Sequence, residues 1–351
     1  MKILNFISGR NLGGSKQAFL DFSMMFFEAG WEVHSMIRTR APLKPLLMDM
    51  PADIAQRVIE VDYTRLLITP FKQHALRQLK QATRHVDPDI IIVHKPIDVL
   101  LMRLTYPHKP IVSVIHSFTS KYVHHADLVF AVSEALKKHV EASGVSTPVV
   151  VVNNSTPMVP LSAAVSRKVP VIGTMAVFRK TKRLDILLAA FKQLKEQGVP
   201  FKGIIAGAGV LRPYLQFLIW RWGLKSQVEL RPWVKDKEAF YNDVDIFAVT
   251  SKRETFNICL IEAMARKKAV ISTACGGPNE IIEHQIDGLL TEVNQVPELT
   301  DMLVQLVQDQ ALRSRLAEAG YQKVQQKYQR SVVQDRMISQ INRMVEKSKK
   351  V

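Results

Sequence analysis

Short apolar runs alternate with longer segments of helical periodicity along most of the chain. The first run, KILNFIS at 2–8, leads into Gly9, Asn11, Gly13 and Gly14 and then a helical pattern from about Ser15 to Ala29 that stops at Gly30. Trp31 to Ile37 forms the next run. Strands of a parallel sheet are covered on both faces and read as unbroken apolar runs, whereas the covering helices show a stripe with a period of about 3.6 residues. Strand, glycine turn, helix, strand is thus the opening of a doubly wound α/β domain. Residues 39–70, punctuated by Pro and Arg, carry neither period. A basic amphipathic helix is predicted from about Pro70 to His85, with strands at Ile90–His94, Ile111–Ile115, Asp127–Val132 and Val149–Val152. Ser133 is a predicted N-cap for a helix reaching about Ala142.

Residues 155–170, STPMVPLSAAVSRKVP, break the pattern and read as an interdomain linker. The pattern then restarts. Strand Val169–Met175 is followed by a basic turn (Arg179, Lys180, Lys182, Arg183), helix Leu184–Gln197, strand Gly203–Ala206 and Gly207-Ala208-Gly209. A helix is predicted at Arg212–Trp222, a short one at Lys237–Asn242, and strands at Val228–Leu230, Ile246–Thr250 and Ala269–Thr273. After the turn Gly276-Gly277-Pro278 and a short helix at Glu280, two helices, Pro297–Lys327 and Ser331–Lys347, close the chain. A length of 351 residues exceeds the roughly 250–300 at which single cores stop growing, so two domains are expected. Their expected limits are 1–160 and 161–330, with 331–351 a C-terminal helix.

Composition narrows the setting. No apolar run approaches the ~20 residues of a membrane span, and MKILNFISGR is too weakly apolar for a signal peptide. Cys259 and Cys275 have neither metal spacing nor a disulfide framework around them. A cytoplasmic chain, soluble or peripherally attached to a membrane, is expected. The net charge of +16 asks for an anionic partner: nucleic acid, an anionic membrane surface or an anionic substrate. Without an RNP signature, finger spacing or a Lys/Arg block, nucleic acid ranks last. Basic residues scattered over solvent-facing helices are the alternative explanation.

Candidate chemistry concentrates in Ser251–Ala265, SKRETFNICLIEAMA, where Glu254 and Glu262 stand eight positions apart. A strand leads in, Glu254 falls on the turn, and an apolar helical pattern starts just after it. Ligands of open α/β sheets bind at that edge, and a helix N-terminus there suits a phosphate. Eight residues of ideal helix rise roughly 12 Å, about the span of a diphosphate with a sugar at each end. A surface carboxylate followed by a buried, capped one is the competing reading. His116 closes a strand at the same kind of edge, and is either a sugar-orienting group or a simple strand end. The glycines at 9–14 do not spell G-x-G-x-x-G, so a dinucleotide is not expected. Backbone approach to an anion and a turn needing positive φ both remain open for Gly13 and Gly14. His124 and His125 read as a solvated turn.

Taken in order, several short motifs are similar to one family. They are Gly13-Gly14, His116, Ser133-Glu134, Ile172-Gly173-Thr174, Lys182 before Asp185, Gly207-Ala208-Gly209, Ser251, the Glu254-x7-Glu262 pair, Gly276-Gly277, Glu280 and Gly288. Over nearly the whole chain they resemble the family 4 retaining glycosyltransferases of the GT-B fold. The resemblance implies an α/β chain of two Rossmann-like doubly wound domains facing a central cleft, with the C-terminal helix at 331–351 crossing back to the N-terminal domain. It also implies a nucleoside-diphosphate sugar as donor substrate, UDP or GDP type, held mainly by the C-terminal half. Glu262 would accept from the ribose hydroxyls, Glu254 would lie near the donor sugar, and the helix start at Phe256, Asn257 and Ile258 would face the diphosphate. Lys182 would neutralise charge growing on the leaving diphosphate, a catalytic role because that charge is largest in the transition state. His116 would lie close to the reacting sugar, with Gly13 and Gly14 letting the N-terminal loop approach it. Neither a metal nor a further cofactor is implied. The acceptor would be a glycan or glycolipid of a bacterial envelope polysaccharide such as lipopolysaccharide, with the enzyme at the anionic cytoplasmic face of the inner membrane.

The chain departs from the family pattern in places. Val177 occupies the position of a common Arg, so either Arg179 or Arg183 substitutes or one diphosphate contact is missing. Asn257 stands where the family often has Gly; Asn tolerates positive φ, and its side chain is also able to read a sugar hydroxyl. Asn154-Ser155 replaces a common Asn-Gly. Rival readings rest on other features. Asp243-Val244-Asp245 and Asp87-Pro88-Asp89 spell the Asp-x-Asp of metal-dependent transferases. A nucleotide-sugar epimerase or phosphorylase would share the scaffold. The basic helix at Lys72–Arg84 with Trp220-Arg221-Trp222 would suit a non-catalytic binder of membrane surfaces.

Overall fold

The two series of apolar runs form two separate, wholly parallel sheets in the computed structural model, which describes residues 1–9, 13–64, 68–161 and 167–348. Asn11 and the middle of the predicted linker lie outside the described residues. The first sheet contains β1 (Lys2–Ile7), β2 (Glu32–Arg38), β3 (Val58–Val61), β4 (Ile90–Val93), β5 (Ile111–Ile115), β6 (Leu128–Ala131) and β7 (Val149–Val151), in the order β3-β2-β1-β4-β5-β6-β7. The second contains β8 (Val171–Val177), β9 (Lys202–Ala208), β10 (Val228–Arg231), β11 (Ile246–Val249), β12 (Ala269–Thr273) and β13 (Leu289–Thr291), in the order β10-β9-β8-β11-β12-β13. Both are built on the doubly wound order 3-2-1-4-5-6, which reverses direction once, between β1 and β4 and again between β8 and β11. Parallel neighbours need crossover connections, and the helices between strands supply them.

Two compact units result, one made of Met1–Ser155 with the chain from Arg330 onward, the other of Thr156–Gln329. In the first unit, Leu4, Phe6, Ile91 and Val93 pack on Ala75 and Leu79 of the helix Phe71–Ala82 and on Val99 and Met102 of the helix Pro96–Thr105. Ile7 and Ile37 pack on Phe19, Leu43, Leu47 and Ile54 on the other side. The last helix, Arg330–Ser348, belongs to this unit. It buries Val333, Met337 and Ile341, and Arg330 reaches Asp21 (3.5 Å) and Glu28 (3.2 Å) on the helix Gly14–Glu28. The second core gathers Leu187, Leu188 and Phe191 of the helix Leu184–Glu196 with strand residues Ile172, Ile205, Ile246 and Ile271.

Several elements differ from the sequence expectation for local reasons. Residues 39–70 include two short helices, Lys44–Met48 and Ala52–Ala55, and the four-residue edge strand β3, each too short to display a period. The helix Pro96–Thr105 was not expected; only His94 and Lys95 part it from β4, and at ten residues it is too short and too apolar to show a clear stripe. β13, at three residues, is likewise new. The pattern Pro297–Lys327 is two helices, Val296–Gln308 and Gln310–Lys327, parted at Asp309, whose carboxylate accepts from the Leu312 N–H at 2.8 Å. Ser133 is an N-cap as predicted, accepting from the Leu136 N–H.

Because Met337 is fully buried, Met337→Ala should cost about 2–5 kcal/mol. Native-state hydrogen exchange should show the loss as faster exchange in Gly14–Glu28 and the first sheet, with the second unit unchanged.

Candidate active site

Ligands of an open α/β sheet bind outside the strand C-termini where the strand order reverses. In the second unit that point lies between β8 and β11. Two loops meet there. After β8, Lys180–Lys182 form a single 3-10 turn closed by Arg183 at φ 46°, a left-handed position. After β11, the Thr250 hydroxyl donates toward the carbonyls of Lys182 (3.2 Å) and Arg183 (3.0 Å), and the Lys252 N–H donates to the Thr181 carbonyl at 2.8 Å. These bonds fix one loop on the other and bring Lys182 Nζ to 2.5 Å from Glu254 Oε1. The Ser251 hydroxyl donates to the same oxygen at 2.6 Å. Thr174, Lys182, Ser251, Glu254 and Asn257 all line one cavity at this edge.

The backbone of Glu254 is held from the other side. Its N–H donates to the Cys275 carbonyl and its carbonyl accepts from Gly277, both at 2.9 Å. A Cβ on Gly277 would stand 2.3–2.5 Å from the backbone of Phe256, and one on Gly276, whose φ is 107°, would stand 2.6 Å from the Glu254 carbonyl oxygen. Glycines are required here so that the Glu254–Phe256 segment can cross.

Asn257 does not use the positive φ that Asn tolerates. Its φ of 172° is ordinary extended backbone, and it is the N-cap of the helix Ile258–Met264, accepting at Oδ1 from the Leu260 N–H at 3.0 Å. Its Nδ2 points to Glu254 Oε1 at 3.5 Å. The side chains of Phe256 and Ile258 are buried, Phe256 edge-on to Tyr328, so only their backbone is left to meet a ligand. Nor does a helix link the two glutamates: Glu254 precedes the first helical residue by four positions, so the rise of an ideal helix does not describe their separation.

Glu262 is buried and doubly engaged. Lys237 Nζ lies 2.5 Å from Oε1, and the Tyr241 hydroxyl shares its one proton between the Cys259 carbonyl (2.9 Å) and Oε2 (3.2 Å). Burial holds the Tyr241 phenol well above its usual value, so it remains a donor, and Arg266 stacks on its ring at 4.7 Å. Each carboxylate oxygen offers two lone pairs, which leaves room for a diol. Lys237 and Tyr241 were missed in the sequence because they lie 25 and 21 positions before Glu262, on another helix. Cys259, pushed up to about 12 by burial, is an inert thiol.

The arginines separate cleanly. Arg183 chelates Asp185 (3.0–3.2 Å) and bonds Asn294, whereas the exposed Arg179 has no side-chain partner among the described residues. The Asp-x-Asp pairs are structural and sit at strand N-termini. Asp245 holds Arg167 (3.0 Å) and the Val171 N–H (2.9 Å), Asp243 holds Arg231 (2.6 Å), Asp87 holds Lys109 (2.6 Å), and Asp89 accepts from the Lys2 N–H (2.7 Å). A larger cavity of about 430 Å³ also opens at that N-terminal edge of the second sheet. It is lined by Arg167, Lys202 and Arg231, all spent on local partners.

In the first unit, His116 follows β5 and His94 follows β4 at the corresponding edge. Their rings stack 5.2 Å apart at 8°, with His94 Nδ1 and His116 Nε2 at 2.9 Å. Burial, helped by Lys95 and Lys16, lowers His116 to about 3, so it is neutral at physiological pH. His94 was not singled out in the sequence, although IIIVH and VSVIH each end an apolar run in histidine. Gly13 caps the helix Gly14–Glu28 with φ 158°, while Gly14 is its first residue, so only Gly13 has backbone that favours glycine.

Gly277→Ala should displace the Glu254–Phe256 segment by several tenths of an ångström. A drop in turnover of at least tenfold is expected, with a melting temperature lowered by only a few degrees. Steady-state kinetics beside a thermal melt check this.

Comparison with known proteins bears on the family and the fold. Residues 162–323 match the family described as Glycosyl transferases group 1, and residues 12–157 match Glycosyltransferase Family 4. The lipopolysaccharide core biosynthesis glycosyltransferase LpsE of Rhizobium meliloti is 24% identical over 347 residues, covering 95% of this chain and 97% of LpsE. The capsular polysaccharide biosynthesis glycosyltransferase CapM of Staphylococcus aureus is 24% identical over 179 residues, 51% of this chain and 47% of CapM. The fold is shared with Anabaena HepE, solved in complex with UDP and glucose, at a TM-score of 0.83 and 19% identity, covering 97% of this chain and 99% of HepE. Two Rossmann-like units matched in turn by the two halves of one enzyme family leave a single conclusion: the chain belongs to the family 4 glycosyltransferases of the GT-B fold.

Proposed function

We propose that this glycosyltransferase moves a sugar from a nucleoside-diphosphate donor, UDP or GDP type, to a glycan or lipid-linked glycan of a bacterial envelope polysaccharide. The reaction is retaining and metal-independent. The observation that carries the reading is the Lys182–Glu254 pair, 2.5 Å apart at the switch point of the second unit. As the glycosidic bond breaks, negative charge grows on the leaving phosphate oxygen. A cation already oriented there stabilises the transition state more than the ground state. Arg179, uncommitted at the same loop, adds a second positive charge for the diphosphate. Glu254 accepts from the sugar and Glu262 from the ribose diol. The complex of HepE with UDP and glucose supports the donor class, and LpsE and CapM support the envelope role.

Retention follows if the departing phosphate oxygen takes the acceptor's proton on the same face of the sugar. An inverting reaction needs a separate base, and His116, held near 3, is a poor one at neutral pH. Cations of the protein in place of a metal are supported by the structural use of all four Asp-x-Asp carboxylates.

The enzyme works at the anionic cytoplasmic face of the membrane in this reading. Among the described residues no helix is long and apolar enough to cross a membrane. The helix Phe71–Ala82 and the turn after it carry Lys72, Arg77, Lys80 and Arg84, none in an ion pair among the described residues. No Asp or Glu occurs between Asp62 and Asp87, and Ile68 and Phe71 are exposed beside these cations. Such a surface suits anionic lipid, each cation adding about 1 kcal/mol near the headgroups.

Lys182→Ala should lower turnover by about 10²–10³ while the protein still binds nucleotide. A binding ligand raises the melting temperature by mass action, so one of UDP and GDP should do so, less in Glu262→Gln. Product configuration by NMR should match the donor, and activity should survive excess EDTA; an inverted product or loss with EDTA would refute those parts. Wild-type protein should sediment with vesicles containing anionic lipid at low salt. Replacing Lys72, Arg77, Lys80 and Arg84 together by Gln should abolish this and leave turnover on a soluble acceptor intact.

A further inference from the structure

The partly buried His116 is joined in a row to two fully buried polar side chains, His94 and Asn5. Its Nε2 lies 2.9 Å from His94 Nδ1, and His94 Nε2 lies 2.9 Å from Asn5 Oδ1. The proton positions along the row follow from its far end. Asn5 donates from Nδ2 to the Phe19 carbonyl (3.3 Å) and to the Ser23 hydroxyl (2.9 Å). A carbonyl only accepts, so the amide nitrogen faces Phe19 and the amide oxygen faces His94. That oxygen accepts in turn, so His94 Nε2 carries a proton. His94 is 1% exposed, edge-on to Phe19 and Phe22, with Lys16 and Lys95 as its charged neighbours. Burial first, then His116 and the two lysines, hold it well below its usual value, so the ring is neutral and has one N–H. Its Nδ1 is therefore an acceptor, and the donor facing it is Nε2–H of His116.

We propose that Asn5 and His94 are positioning residues that lock the tautomer and ring orientation of His116, so that His116 Nδ1 accepts a hydrogen bond from a hydroxyl of the sugar substrate. This rests on the reading of His116 as a sugar-facing residue. The arrangement explains why Asn5, in the middle of β1 and fully buried, is polar where its neighbours Leu4 and Phe6 are apolar. It also fixes the flip state of both rings: a half-turn of either puts carbon where nitrogen stands and breaks the 2.9 Å bond. Buried networks of this kind are worth their desolvation when every member is satisfied, and this one also fixes which nitrogen of its last member bears the lone pair.

Histidine ring ¹⁵N spectra of the full-length protein at pH 7 test the assignment directly. His116 and His94 should each show a protonated Nε2 and an unprotonated Nδ1. His94→Phe keeps a ring of similar size but removes the acceptor. Turnover should fall at least tenfold with the donor KM within twofold, and His94→Gln, whose amide oxygen can accept from His116, should recover part of it. Asn5→Asp is nearly isosteric and tests the row from the other end. Its carboxylate favours a second proton on His94, whose Nδ1 then donates and drives His116 toward its Nδ1–H form, with a matching loss of turnover. A wild-type His116 protonated at Nδ1, or normal turnover in both His94→Phe and Asn5→Asp, would overturn the proposal. Normal turnover in His116→Ala would overturn the sugar-facing reading on which it rests, while the spectra would still judge the tautomer assignment by themselves.

Discussion

A lysine and a carboxylate 2.5 Å apart at the open end of a buried parallel sheet are the constraint around which the second unit is arranged. Both are largely removed from water, Glu254 more so than Lys182. Charges in such a place stay only when paired, because desolvating either alone costs several kcal/mol. The pair forms because two loops are each over-determined. Thr250 and Lys252 tie the chain after β11 to the turn after β8, and Gly276-Gly277 lets the Glu254 segment cross at backbone contact distance. Asn257 then converts the end of that crossing into a helix start that buries Glu262.

The two edges of each sheet have different uses. At the N-terminal edges, carboxylates close ion pairs and backbone bonds that hold strands in register: Asp245 on Val171, Asp89 on Lys2. At the C-terminal edges the polar groups are concentrated without full local compensation. Arg179 is exposed with no side-chain partner among the described residues, and Glu262 keeps acceptor capacity beyond Lys237 and Tyr241. In the first unit the same edge holds two neutral histidines on one amide. A parallel sheet aligns all its C-termini on one side, so a chain needs only short loops there to gather such groups from distant positions.

The fold was largely legible in the sequence because unbroken apolar runs and glycine turns mark buried parallel strands directly. What escaped was short or close-set: β3, β13 and the Pro96–Thr105 helix, which starts two residues after β4. Of the site, the residues close in sequence were legible, since Ser251, Glu254, Asn257 and Glu262 share one segment. Lys237, Tyr241 and His94 were not, because each reaches its partner across a crossover, where no fixed spacing exists. Asn257 shows the opposite limit. Its identity fits a positive-φ residue or a cap equally well, and only backbone geometry separates them. Arg179 and Arg183 could not be ranked until Asp185 and Asn294 were seen to occupy the second.

The central claim is that Lys182 and Glu254 act as one unit, the pair holding Lys182 at the leaving diphosphate and Glu254 at the departing sugar. A double-mutant cycle on turnover with Lys182→Ala and Glu254→Gln measures that coupling most directly. If the account holds, the double variant loses little more than the worse single variant. Losses that simply multiply would show two independent residues and contradict it.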